Sequence, residues 1–499
     1  MDAACSPVPS TAPHMFDRYT AATGYDELLC GPGDPRPFAV DLVDRLSRLG
    51  LGDLHCRQAA AEAALLQSGI TFNVYDEGEA TERIIPFDLI PRVIPSEDWV
   101  TVEAGLIQRI TALNLFIGDI FHDRRIVEEG VIPPEFLLTG REKIWNACRY
   151  VTPPRNIYCH IAGIDLIRDA DGRFMVLEDN LRCPSGVSYV LENRRVLKQT
   201  LPQSFESLNV RPVDSYPEQL LKSLQHIAPP GVDRPNVVVM SPGVYNSAYF
   251  EHAYLAQQMG VPLVTGSDLV VADGRVRSVT TRGLKRVDVI YRRVDDDFLD
   301  PTVFRKDSLL GVPGLFEVYR RGHLGLANAP GTGIADNKVV YAFVPDMIRF
   351  YLKQEPILPN VETFLCGQEK DRKHVLAHLD RLVVKPAHEA GGKGILIGPH
   401  ASAAERAAMA DAIRSNPNNY IAQPTLNLST APTLVQRPGG GVAVEARHID
   451  LRPFILIGRD VQVLSGGLTR VALKKGSLIV NSSMGGGTKD TWVLASGPG

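Results

Sequence analysis

The chain predicts a mixed fold, part α+β and part α/β, divided into several domains. Three observations point there. Residues 15 to about 150 carry mainly helical apolar spacing, a strand–helix–strand pattern begins near residue 236, and the last 160 or so residues alternate short strands with glycine-rich turns. A length of 499 residues, 44% hydrophobic and 22% charged, suits roughly three domains with substantial cores.

Composition excludes several classes of function. The net charge of −4 offers no global basic field to recruit nucleic acid or an anionic membrane. Asp, Arg, Gly or Pro interrupts each apolar stretch before it reaches bilayer-spanning length. Residues 1–14 are rich in Ser, Pro and Ala, lack a basic start and an apolar core, and read as a disordered tail. The cysteines at 5, 30, 56, 148, 159, 183 and 366 are odd in number and form no Cys-x-x-Cys pair, which favours a reducing compartment over a disulfide framework or zinc site. The expected location is the cytoplasm. Cys159 and His160 are adjacent on a strand, so they point to opposite faces and cannot act as a dyad.

Taken in order, residues 15–150 form a helix-rich region with helices over Pro37–Leu51 and Thr101–Phe121, and strands near Ile70–Tyr75 and Ile84–Asp88. Residues 151–205 hold an acidic hairpin and a helix over Val187–Thr200. Residues 206–335 form an α/β unit: a buried strand at Asn236–Met240, a helix over Ser247–Met259, a strand at Val261–Val264, a hairpin turning at Asp273-Gly274, and a strand at Val287–Arg293. The aspartates at 295–297 read as a solvated loop, with a second acidic site as the alternative. Residues 336–499 begin with a helix over Asn337–Leu352. Strands at Leu382–Lys385 and Ile395–Ile397, a helix over Ala403–Ser415 and a strand at Tyr420–Gln423 come next. Further strands start at Arg447, Val461 and Leu478, and Gly439–Gly441 and Gly485–Gly487 read as loops.

The acidic hairpin carries the first chemical signal. Gly163-Ile164-Asp165-Leu166 and Met175-Val176-Leu177-Glu178-Asp179-Asn180 flank an Asp171-Gly172 turn. Alternation puts Glu178 and Asn180 on one face, where Asp165 can meet them. Two carboxylates and an amide oxygen suit Mg²⁺, a hard cation that usually completes its shell with substrate phosphate. The second signal is Leu382-Val383-Val384-Lys385-Pro386, followed by Gly391-Gly392-Lys393-Gly394. A lysine ending an apolar strand before a glycine-rich turn can set its ammonium, and backbone N–H groups unobstructed by Cβ atoms, against phosphate. Neither the Gly-x4-Gly-Lys-Ser/Thr loop nor a dinucleotide fingerprint is present.

Together these stretches resemble the ATP-grasp superfamily. The resemblance implies that Lys338, in Asp336-Asn337-Lys338, joins Lys385 and Gly391, Gly392, Lys393 and Gly394 on the phosphates. Gln423, in Tyr420-Ile421-Ala422-Gln423-Pro424, would lie on the adenine hinge. Asp450-Leu451-Arg452 matches an Asp-x-Arg strand, and Arg470 and Asn481 are similar in placement to a later arginine and asparagine. The metal hairpin, which ordinarily comes last, lies upstream here. Placing residues 336–499 ahead of residue 160 restores the usual order, so the chain looks like a circularly permuted ATP-grasp protein with a Rossmann-like pre-grasp unit. It is similar to the synthetase domain of glutathionylspermidine synthetase and closer to an uncharacterised bacterial branch, through Leu177–Tyr189, Val287–Phe298 and Gly333–Phe343.

The resemblance implies ATP and Mg²⁺, with Mn²⁺ as the alternative ion on Asp165, Glu178 and Asn180. It also implies carboxylate–amine ligation through an acyl phosphate. The alternatives are a phosphotransferase and a nucleotide-binding scaffold that needs a partner. Glutathionylspermidine synthetase has an arginine two residues before its first metal ligand, where this chain has Gly163; Arg182, Arg452 and Arg470 are the candidates for that catalytic role. Arg292, Arg293 and the aspartates 295–297 could meet an amino-acid-like substrate. Expected partners are small-molecule or peptide carboxylates and amines, with co-encoded alpha-E and transglutaminase-like proteins suggested by the resemblance. No nucleic acid or membrane is expected.

Overall fold

The computed structural model describes residues 15–17, 19–21, 24–76, 79–137, 142–387, 394–437, 441–477, 480 and 486–496, with backbone alone for 71–84 and 142. The expected tail, Gly391, Gly392, Lys393, the strand start at Leu478 and Asn481 lie outside the described residues.

The first long helix, α1 (Val40–Gln67), buries Leu42, Val43, Leu46, Leu54, Ala61 and Leu65 and is broken at Gly50, whose φ of 73° leaves the helical region. The expected helix thus ends at this break, and a second helical stretch follows it. Strand β1 (Phe87–Ile94) leads into α2 (Ser96–Phe121). By length and composition alone α2 could cross a bilayer, contrary to the expectation from the sequence; in the fold Trp99, Leu106, Ile110, Leu113, Phe116 and Ile117 lie within the main core. The acidic hairpin is β2 (Ile161–Arg168) and β3 (Phe174–Asn180), and α3 (Val187–Thr200) has the bounds its apolar spacing predicts.

The α/β unit contains β4 (Val237–Met240), α4 (Tyr249–Met259), β5 (Leu263–Val264), β6 (Val289–Arg292) and β7 (Gly325–Ala327). All four strands are parallel, in the spatial order β7-β6-β4-β5. The expected helix over Asn337–Leu352 is instead divided into α5 (Lys338–Ala342), a turn at Val344–Met347 and a π-helical turn at Ile348–Leu352. Pro345, which has no N–H to donate, sits at the break.

Two further sheets carry many of the residues singled out in the sequence. The smaller has β8 (Phe364–Leu365), β9 (Leu382–Pro386), β10 (Leu396–Ile397) and β11 (Tyr420–Pro424), all antiparallel, in the order β8-β11-β9-β10. Helix α6 (Ala403–Ser415) packs Ala410 and Ile413 against Val384, Leu396 and Ala422. The larger sheet has nine strands: β1, β2, β3, β12 (Thr430–Gln436), β13 (Val442–Arg452), β14 (Phe454–Ile457), β15 (Val461–Val463), β16 (Leu468–Val471) and β17 (Gly487–Val493). Four of these (β12, β14, β16 and β17) have no counterpart in the sequence reading, and Gly487 begins a strand where a loop was expected.

The large sheet shows the permutation directly. β13 and β14 run antiparallel along β2, with Leu451 opposite Leu166 and Phe454 opposite Gly163. On the other edge of β2 lies β3, with Asp165 opposite Glu178 and Gly163 opposite Asn180. The far edge closes on the N-terminal region, where β17 pairs in parallel with β1. The hairpin therefore takes its place among strands from the far end of the chain.

Candidate active site between two sheets

On the large sheet, Asp165 is the centre of a buried charge cluster. Arg452 donates from Nε at 2.5 Å and Nη2 at 2.8 Å to its two oxygens, and Arg470 Nη2 donates at 2.8 Å to Oδ2. Arg470 also donates to Asp450, its cross-strand partner. Burial works to raise the Asp165 pKa, but the two guanidiniums outweigh it and hold the carboxyl at about 2. Asp450 is raised, because burial outweighs its contact with Arg470.

Gly163 has a steric reason. A Cβ there would lie 3.1 Å from Pro184 Cβ and 3.2 Å from Arg452 Cδ. The stem of Arg452 crosses the space above Gly163 before its guanidinium reaches Asp165. Arg452 of β13 thus lies against the position of Gly163.

Glu178 is ion-paired to Lys338 Nζ at 2.8 Å. Asn337 caps α5, its side chain accepting from Val339 N, which places Lys338 at the first turn of that short helix. The Asn180 amide nitrogen is buried without a hydrogen-bond partner. On the small sheet, Lys385 donates to Gln423 Oε1 at 2.7 Å, and Gln423 donates to Thr363 Oγ1 at 3.0 Å. Burial lowers the Lys385 ammonium to about 8, with Glu178 and Asp165 raising it and Lys338 lowering it, so the lysine is within electrostatic reach of the metal-side residues. Gly394, the one described glycine of the turn signal, has a φ of 69°, a conformation glycine adopts without strain.

The residues present fit a hard cation. The donors are two carboxylates and one amide, all offering oxygen, on paired strands, with Asp165 held by Arg452 and Arg470 and Glu178 by Lys338. Among the described residues no group of three or more His, Cys, Asp or Glu is arranged to hold a metal unaided. Lys338, Arg452 and Arg470 neutralise the carboxylates of Asp165 and Glu178.

Other expected residues stand apart. Arg182 is held by Asp336 at 3.2 Å and Asp295 at 3.5 Å, not by the hairpin carboxylates. Asp336 also accepts the backbone N–H groups of Leu181 and Arg182, fixing the end of β3. The aspartates 295–297 are not all solvated: Asp296 is buried and pairs with Arg292 at 2.7 Å. Arg292 also donates to the carbonyls of Asn328, Val294 and Ala329, while Arg293 is bound by Glu251, Tyr291, Ser185 and Pro184. Both arginines are buried and engaged with internal partners. Cys159 is fully buried, and burial pushes its thiol well above its ordinary range.

Sequence reading missed Asp179, whose carboxylate faces away from Glu178 and is gripped by Arg109 from α2 at 2.7 and 2.6 Å. The available signal was a lone charge within the apolar spacing Leu106, Arg109, Ile110, Leu113. Asn328, which ties His160 and Ile161 to Leu181, gave no signal at all.

Comparison with known proteins identifies the family. An uncharacterized protein of Synechocystis is 57% identical over 481 residues, covering 96% of this chain and 99% of its own length. A protein of Frankia alni provisionally named glutamate–cysteine ligase 2-3 is 42% identical over 484 residues; the match spans 97% of this chain and 55% of that protein. Among solved structures, a glutathione synthetase-like effector from Globodera pallida superposes with a TM-score of 0.58 at 10% identity, over 89% of this chain and 98% of that one, a likeness of fold. The model of the circularly permuted ATP-grasp type 2 family matches residues 91–472, and the chain belongs to that family.

Proposed function

We propose that the protein is a Mg-ATP-dependent carboxylate–amine ligase. One observation carries the reading: Asp165, Glu178 and Asn180 share a cleft with Lys338, Lys385, Arg452 and Arg470, a layout of cations and oxygen donors suited to a nucleotide triphosphate. The provisional ligase name of the Frankia relative supports the same class of reaction.

In this reading Asp165, Glu178 and Asn180 would hold Mg²⁺, which when bound would neutralise phosphate charge. Phosphoryl transfer depends on positioning and electrostatics more than on covalent participation by the protein. Lys338, paired with Glu178 at 2.8 Å, would bind phosphate, and Glu178 would then be available to the cation. Lys385 binds the phosphate chain, and Gln423, already on its ammonium, fixes its direction. The acceptor carboxylate attacks the γ-phosphorus, and the bond to the bridging oxygen of ADP breaks. Arg452, fixed by Asp165, faces the charge passing between them, with Arg470 holding the shared carboxylate. An amine then attacks the acyl carbon, phosphate leaves, the nitrogen loses a proton and an amide remains.

The test is incubation with Mg-ATP and pooled amino acids, short peptides and polyamines, with separation and mass detection of nucleotides and products. ADP formed only when acid and amine are both present, together with their condensed mass, is the expected result. ADP without an amide would replace the ligase reading by phosphotransfer.

A further inference from the structure

We propose that Arg109 and Asp179 are a positioning pair that sets the roll of the metal strand and couples it to the nucleotide side of the cleft. This rests on the reading of Glu178 and Asn180 as cation ligands. Side chains alternate along β3, so Asp179 leaves the face opposite its two neighbours. Arg109 Nε lies 2.7 Å from Asp179 Oδ1 and Nη2 lies 2.6 Å from Oδ2, and both side chains are fully buried. A two-pronged contact of this kind fixes orientation as well as distance. With Asp179 held so, Glu178 and Asn180 have one direction available to them.

The same guanidinium reaches further. Its Nη1 donates to Asn360 Oδ1 at 2.7 Å, and Asn360 Nδ2 donates to the Tyr341 carbonyl at 2.9 Å. Tyr341 belongs to α5, three residues beyond Lys338, and its hydroxyl donates back to the Val176 carbonyl of β3 at 2.6 Å. Val361 N also donates to Val176 O at 2.9 Å, and the chain continues to Thr363, the acceptor of Gln423. The guanidinium carbon lies 5.4 Å from the Tyr341 ring centroid. One side chain of α2 thus touches the metal strand, the helix of the phosphate lysine and the segment entering the small sheet. A buried ion pair is a poor device for stability alone, since apolar side chains of similar volume often do as well. Its geometry is what an apolar pair could not supply.

The test compares the R109M/D179L double variant, which replaces the pair without stranding a charge, with wild type and E178Q. Bound Mn²⁺ is read by electron paramagnetic resonance in the presence of a non-hydrolysable ATP analogue, and analogue affinity without metal is read by calorimetry. The double variant is expected to keep metal-free analogue affinity within about twofold while Mn²⁺ binding weakens roughly 10- to 100-fold, the range for groups that orient metal ligands. Wild-type Mn²⁺ affinity in the folded double variant, with E178Q impaired, would overturn the positioning role. Wild-type Mn²⁺ affinity in E178Q as well would overturn the metal reading beneath it. If the double variant does not fold, Tyr341→Phe removes one hydroxyl and keeps the ring; weakened Mn²⁺ binding there supports the coupling, and unchanged binding overturns it.

Discussion

The two walls of the cleft are built in opposite ways. The large-sheet wall is assembled from remote pieces, with Asp165 and Arg452 separated by 287 positions and joined by an interlocked set of buried ion pairs. The small-sheet wall is local: β9 and β11 pair directly, and Lys385 and Gln423 lie 38 positions apart. The first wall holds its charges in fixed mutual compensation before any ligand arrives. The second presents a lysine whose ammonium is poorly solvated and has a neutral amide as its hydrogen-bond partner. A ligand rich in negative charge gains from both, by replacing carboxylates on one side and completing a lysine on the other.

The comparison breaks most sharply at Glu178. Its carboxylate is about a quarter exposed, so Glu178→Gln should leave the fold intact while lowering Mg-ATP turnover by about 10²- to 10³-fold, the loss typical of removing one charge-stabilising group. Turnover near wild type would remove the metal from this wall. Lys338→Met should act in two directions. ATP affinity falls about tenfold, whereas Mn²⁺ affinity without nucleotide rises because Glu178 has lost its competing partner. Calorimetric titration of each ligand alone checks both signs.

The second wall is sharpened by pH. Lys385 is lowered from 10.5 to about 8, so between these values the unfolded chain binds the extra proton and this residue's contribution to stability rises with pH. Phosphate favours the charged form. ATP affinity should therefore fall as pH rises through that window, and binding at about pH 9 should take up a proton. Calorimetry in two buffers of different ionisation enthalpy counts it, and a count of zero would place phosphate away from Lys385. The smallest expected effect is Gly163→Ala. Its Cβ would press on Arg452 Cδ and Pro184 Cβ, so turnover should drop several-fold with ATP affinity unchanged. Steady-state kinetics with unaltered turnover would mean that the Arg452 stem yields without moving its guanidinium.

What was legible in the sequence follows the same division. Lys385, the strand carrying it and the hairpin register of Asp165 with Glu178 all depend on neighbours within a few dozen residues, where alternation and turn chemistry are decisive. The helix α3 was readable in full for that reason. The clamp of Asp165 by Arg452 and Arg470 could be anticipated only as a set of candidates, since nothing local says which arginine reaches which carboxylate. Strand β17 was missed because Thr488, Lys489, Asp490 and Thr491 give it no apolar pattern, although all four are buried. Arg109 was missed because an amphipathic pattern treats a charge as a solvent-facing residue, whereas its acceptor lies 70 positions away.

The order of strands in the large sheet has a consequence for synthesis. The ribosome makes β2 and β3 long before β13, β14 and β16, the strands that flank and neutralise them. At about 5–20 residues per second, the hairpin waits roughly a quarter of a minute to a minute for Arg452. During that interval Asp165 lacks both arginines and one edge of β2 has no neighbour. Such an unpaired edge invites pairing with other chains, and closing it late carries the kinetic cost of a long-range contact. The permutation thus makes the last third of the chain the step that completes the charge cluster around Asp165, so slow or interrupted translation there would leave an adhesive intermediate.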